Sequence, residues 1–166
     1  MINETARAGF VYTVEEIRDG QVVAVDRIHN ILPTQGINHM LEVLARGAAQ
    51  VPTWYLLLYE NDYAPSAVDT AQTFPMLAGE ATAYDHPTRH EIAFGNAANG
   101  SLSNAAVRVE VQFNATRTIR GGGIVSTAAK GSAVGILLSA VRFSSPRQVD
   151  ASTILRVTAG LQIISA

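Results

Sequence analysis

The chain contains no cysteine. That excludes disulfide staples, zinc held by thiolates, cysteine-ligated iron–sulfur clusters and a thiol nucleophile. Charge is scarce as well. Only 16% of the 166 residues are Asp, Glu, Lys or Arg, against a usual quarter or so. Lysine occurs at Lys130 alone, and the formal net charge is -2. No basic run exists to track a phosphate backbone, so nucleic acid is not an expected partner. Long apolar runs are missing too. The longest, Trp54–Tyr59, falls far short of the ~20 residues a membrane helix needs, and no membrane partner is expected. Met1-Ile2-Asn3-Glu4-Thr5 has no basic region leading into an apolar stretch, so no signal peptide is read there.

What is present describes a folded domain. Apolar residues make up 48% of the chain, too many for a disordered one. The length suits one domain with a single core that needs no staples. A surface so poor in charge is expected to cover part of itself against partners.

The local patterns are mostly those of strands. Phe10-Val11-Tyr12-Thr13-Val14 suits a pleated surface, Asp19-Gly20 is a hairpin turn, and residues 21–28 form the returning strand. A helix over 34–46 follows, with Thr34 as its cap and Gly47 as its stop. Its Ile37, Met40, Leu41 and Leu44 form one apolar stripe, expected to lie against a sheet. Trp54–Tyr59 reads as a central strand, apolar on both faces. Pro and Gly punctuate residues 61–100, where short strands are expected at 80–84 and 89–94. Val107, Val109, Val111 and Phe113 alternate with polar residues, as in a half-solvated strand. The strand over 116–125 contains Gly121-Gly122-Gly123, which implies a bulge, an edge or close backbone approach. A strand over 134–143 is expected to end near Pro146, and a last one puts Leu155, Val157, Ala159, Leu161 and Ile163 on one face. About eight strands with one helix, and no β-α alternation, predict an all-β fold. The expected architecture is an antiparallel β-sandwich, with jelly-roll topology as one option. Residues 10–166 form its single domain and residues 1–9 a flexible N-terminal arm that is dispensable for folding.

Chemistry-bearing residues are thinly spread. His86 and His90 stand four apart beside Asp85 and Glu91. On a helix that spacing can hold a metal, but Pro87 makes the segment extended or looped, so surface histidines are the better reading. His29 and His39 show no partner in the sequence. Glu60, Asp62 and Asp69 lack the spacing of a calcium loop and read as a solvated acidic turn. Gly121-Gly122-Gly123 lacks the context of a phosphate cradle and reads as backbone packing. Ser101, Ser103, Ser126, Ser132 and Ser139 lie in no G-x-S-x-G elbow, and Thr127-Ala128-Ala129-Lys130 is not S-x-x-K. Trp54, Tyr55 and Tyr59 lie in an apolar strand and read as core rather than as a stacking platform. No catalytic, cofactor-binding or metal residue is assigned, no cofactor is expected, and the chain is not read as an enzyme.

Several phrases nevertheless have a familiar form. They are His29-Asn30-Ile31-Leu32-Pro33-Thr34-Gln35-Gly36-Ile37-Asn38-His39-Met40-Leu41, Trp54-Tyr55-Leu56, Asp62-Tyr63-Ala64-Pro65, Asp69-Thr70-Ala71-Gln72-Thr73-Phe74-Pro75, Gly79-Glu80 with Thr82-Ala83-Tyr84, Phe113-Asn114-Ala115-Thr116 and Leu137-Leu138-Ser139-Ala140 running to Pro146. As a set they resemble small virion proteins encoded among the structural genes of tailed bacteriophages. The resemblance implies a capsid cement or decoration protein that bridges major capsid protein subunits. It further implies a homo-oligomer, dimer or trimer, assembled in the host cytoplasm and placed on the capsid surface. A minor tail or tail-fibre-associated protein is the neighbouring alternative. A receptor- or carbohydrate-binding sandwich with exposed aromatics in 61–100 is a second, and a β-sandwich enzyme with a His, Asp or Glu cluster a third.

Overall fold

Asp19 and Gly20 both take positive φ, 50° and 75°, the mirror-image turn that suits the twist of a two-residue hairpin. They join β1 (Ala6–Arg18) to β2 (Gln21–His29), with Arg18 opposite Gln21. The chain continues through α1 (Thr34–Arg46), β3 (Trp54–Tyr59), α2 (Phe74–Ala78), β4 (His90–Ile92), β5 (Ser101–Ser103), β6 (Val109–Gln112), β7 (Arg117–Val125), β8 (Leu137–Val149) and β9 (Thr153–Ser165). This computed structural model describes residues 6–165.

All the pairings are antiparallel. One sheet has the order β2-β1-β9-β5, with β6 also on β9; the other has the order β4-β3-β7-β8. Phe10, Tyr12 and Val14 of β1 and Leu155, Val157 and Ala159 of β9 face Leu56, Leu58, Ile124 and Val141 of the second sheet across a shared core. The fold is therefore the expected all-β antiparallel sandwich. The period-2 reading of the last strand holds from Leu155 to Ala159, while Ile163 is exposed. The alternation in β6 is likewise that of a half-buried strand.

The second sheet is covered on both faces. Leu57, Tyr59, Val125, Leu137 and Ala140 look away from the sandwich core into a smaller cluster closed by Phe74, Ala71 and Ala78. That double burial explains why Trp54–Tyr59 reads as apolar throughout: its Leu56, Leu57, Leu58 and Tyr59 are all buried.

Several expectations are corrected. Ala6–Gly9 is not an arm: β1 begins at Ala6, and these residues pair with β9 from Ser165 to Gln162. The rest of the expected arm, residues 1–5, lies outside the described residues. Thr34 is not the cap of α1. Pro33 holds that position without a side-chain bond, and the Thr34 N–H donates to the Ala67 carbonyl at 2.9 Å. A second short helix, α2, occupies a stretch read without one, closed by Gly79 in the left-handed region. Residues 80–84 form isolated bridges at Glu80 and Tyr84 rather than a strand. Pro146 does not end its strand. β8 runs on to Val149, because Pro146 falls in the irregularity between the Arg142 and Arg147 pairings, where the ladder asks for no N–H.

The helix brings the largest revision. It packs on β8 through the side that carries Gly36, where an added Cβ would stand 2.5 Å from the Leu138 carbonyl oxygen and 2.9 Å from that of Leu137. His39, Met40 and Val43 are half-buried on that side. Of the predicted stripe only Met40 reaches the core; Ile37, Leu41 and Leu44 face water. A hydrogen in place of a side chain lets the helix backbone sit on the sheet edge, so the close contact follows the glycine and not the leucines.

Candidate functional site

The titratable groups that come together lie where residues 80–92 meet the loop 126–135. Arg89 is 1% exposed and forms a bidentate pair with Glu80, Nε to Oε1 at 2.9 Å and Nη2 to Oε2 at 2.6 Å. Its remaining donors reach the carbonyls of Thr127 at 2.9 Å and Ser132 at 3.1 Å, and Glu80 also accepts the Gly131 N–H. Every strong group is satisfied inside the protein, so the pair stitches loops together and offers nothing to a substrate. Lys130 is spent similarly. Its Nζ donates to the Thr82 and Tyr84 carbonyls and lies 3.7 Å from the centre of the Tyr84 ring.

His86 and His90 do meet. Their rings stack at 4.4 Å, and the His90 Nε2 is buried without a hydrogen-bond partner. Among the described residues no three His, Asp or Glu side chains converge as metal ligands would. Burial holds the His90 imidazole well below its usual 6.5, at about 4, and neighbouring His86 and Lys130 push the same way. The unfolded chain therefore takes up this proton first as the pH falls. Stability contributed by neutral His90 is complete above about pH 6.5 and is lost on acidification towards pH 4. Melting curves across that window should show a steeper loss for the wild type than for His90→Phe. Equal slopes would disprove the assignment.

The acidic turn is taken apart by the fold. Asp69 is buried rather than solvated, accepting the Tyr63 hydroxyl at 2.6 Å and the Ser66 N–H at 2.8 Å. Asp62 pairs with Arg142, and Glu60 with Arg117 at 3.4 Å. The serines are dispersed as well. Ser139 is buried between the Tyr12 hydroxyl and the Asn30 amide, and Ser126 accepts the Ile136 N–H. Tyr59 is core, as read, while Trp54 and Tyr55 are half-buried against the two clusters. His39 meets Trp54 edge-on at 5.8 Å. His29 lines a cleft of about 210 Å³ beside Pro65 and Val141.

The distinctive phrases sit at joints. The Asn30 side chain accepts the Phe10 N–H at 2.7 Å and donates to Ile31 and Ser139, tying the first sheet to the second. Gln35 Oε1 accepts from the backbone of both Ala71 and Leu137, at 2.9 and 2.8 Å, and so locks α1 to the loop before α2 and to β8. These residues are needed by the architecture whatever the chain binds.

What α1 leaves outside is a candidate interface. Ile37, Leu41 and Leu44 are 39%, 54% and 84% exposed. Val68 and Val134, also exposed, flank its N-terminal end: Thr34 bonds to Ala67 and Gln35 to Gly135. The only charges on α1 are Glu42 and Arg46, which pair with each other at 3.3 Å. The helical stripe was legible in the sequence, whereas Val68 and Val134 are isolated loop residues with no pattern to mark them. No protein-family model matches this sequence, and no curated protein is similar to it.

Proposed function

We propose that the chain is a structural protein of a tailed-phage virion, a capsid cement protein that bridges major capsid protein subunits. It acts on the outer surface of the shell in many copies, as a dimer or trimer. The observation that carries the reading is the apolar, charge-poor face of α1, together with the resemblance of residues 29–146 to virion proteins. Burying a side chain such as Leu44 completely contributes about 1.5–3 kcal/mol. A patch of that size binds weakly once and firmly when repeated on a symmetric shell, because linked contacts multiply.

The test is decoration of shells prepared without the protein. Leu41→Glu combined with Leu44→Glu should melt like the wild type, since both side chains already face water. The same variant should fail to sediment with shells. Decoration at the wild-type level would reject the proposed interface.

A further inference from the structure

The opposite side of the sandwich carries a different chemistry. On the outer face of the first sheet, Arg27, Thr13 and Thr158 stand in one cross-strand row over β2, β1 and β9. The next row holds His29, Val11 and Gly160, with Ser103 of β5 opposite Gly160. Gly160 has no side chain, and the row sinks there into a shallow groove of about 220 Å³.

The polar groups around this groove are unspent. Arg18, Arg46, Arg89, Arg108, Arg117, Arg142, Arg147 and Arg156 all have carboxylate partners within 4.0 Å. Among the described residues Arg27, like Arg7 and Arg120, has none, and neither the Thr13 and Thr158 hydroxyls nor the Gln162 amide has a hydrogen bond to the protein. The neighbouring charges on the same face, Glu15, Glu110, Arg108 and Arg156, neutralise one another. The groove therefore keeps the positive charge of Arg27 on a chain whose net charge is -2.

We propose that this groove binds a carboxylate-bearing sugar unit of an acidic polysaccharide. The planar guanidinium of Arg27 takes the carboxylate in a two-pronged contact. The hydroxyls of Thr13 and Thr158 and the Gln162 amide pair with ring hydroxyls, and Gly160 and Val11 let the ring lie flat on the sheet. No aromatic side chain lines the groove, so stacking cannot replace the ionic contact and affinity depends on the acid group. The groove belongs to the first sheet and α1 to the edge of the second, so the assignment stands independently of shell binding.

Calorimetry with the full chain tests it, using oligogalacturonate and oligosialate as probes, with maltohexaose as the uncharged control and oligoglutamate as the acidic peptide control. At least one acidic oligosaccharide should bind, more weakly as salt rises, and maltohexaose should not. Arg27→Ala should weaken binding roughly tenfold or more, the loss expected for a charge-assisted bond. Gly160→Val should abolish binding by filling the floor. Both variants should melt like the wild type, and binding followed by ligand-observed resonance serves should either be less stable. Failure of both acidic probes to bind overturns the proposal. So does equal binding of maltohexaose or oligoglutamate, or wild-type affinity in Arg27→Ala.

Discussion

Replacing Arg89 with Met is expected to remove about 3–5 kcal/mol of folding stability, the usual cost of breaking one side of a buried ion pair. The reason is what stays behind. Glu80, with its side chain 4% exposed, would keep a buried carboxylate held only by the Gly131 N–H. The carbonyls of Thr127 and Ser132 would lose their donors as well. For a domain whose whole stability is about 5–15 kcal/mol, that is enough to unfold part of the population at room temperature. Urea denaturation monitored by Trp54 fluorescence measures it. The double variant Glu80→Leu, Arg89→Met should lose less than the two single losses summed, because neither strands a charge. An Arg89→Met chain within about 1 kcal/mol of wild type would show that the loops hold without the pair.

Gly121→Ala is expected to cost about 3 kcal/mol, at the upper end of what overpacking a core does. An added methyl would meet the Tyr59 hydroxyl on one side and the Val141 carbonyl oxygen on the other. Neither can retreat. Tyr59 is fully buried with its ring edge-on to Phe74, and Val141 is opposite Gly122 in the ladder. Gly95→Ala is the matched control: its nearest neighbour is the Ser103 carbonyl oxygen at 3.5 Å, an ordinary contact, so little change is expected. Thermal unfolding of the pair separates a steric cause from the general effect of replacing a glycine. If both lose the same stability, crowding at Gly121 is not the reason.

The glycine run also shows how far sequence reasoning reaches towards a site. Close backbone approach at Gly121-Gly122-Gly123 could be anticipated, since three residues without side chains weaken a strand unless something presses on it. Which atoms press came only from β3 and β8. The histidine pair was legible as two residues four apart, and their stacking under Tyr84 was not. The sugar groove left no linear trace at all. Thr13, Arg27, Ser103, Thr158 and Gly160 come from separate strands and share a face only because β1 pairs with β2 and β9, and β5 with β9.

Whatever depends on near neighbours along the chain was legible before folding was considered. Those are the Asp19-Gly20 hairpin, the alternation of β6 and β9, the extent of α1, and the all-β class. Turn geometry and side-chain period are local properties, legible without knowing what lies across the fold. The buried face of α1 was settled by long-range packing, because the helix follows the closest backbone contact, at Gly36 over Leu137 and Leu138. The same packing likewise decided that Asp69 is buried, that Pro146 lies within β8, and that Arg27 and Gly160 line one groove. Each of these depends on residues far apart in sequence, and a partner brought close by folding has no fixed spacing to be read.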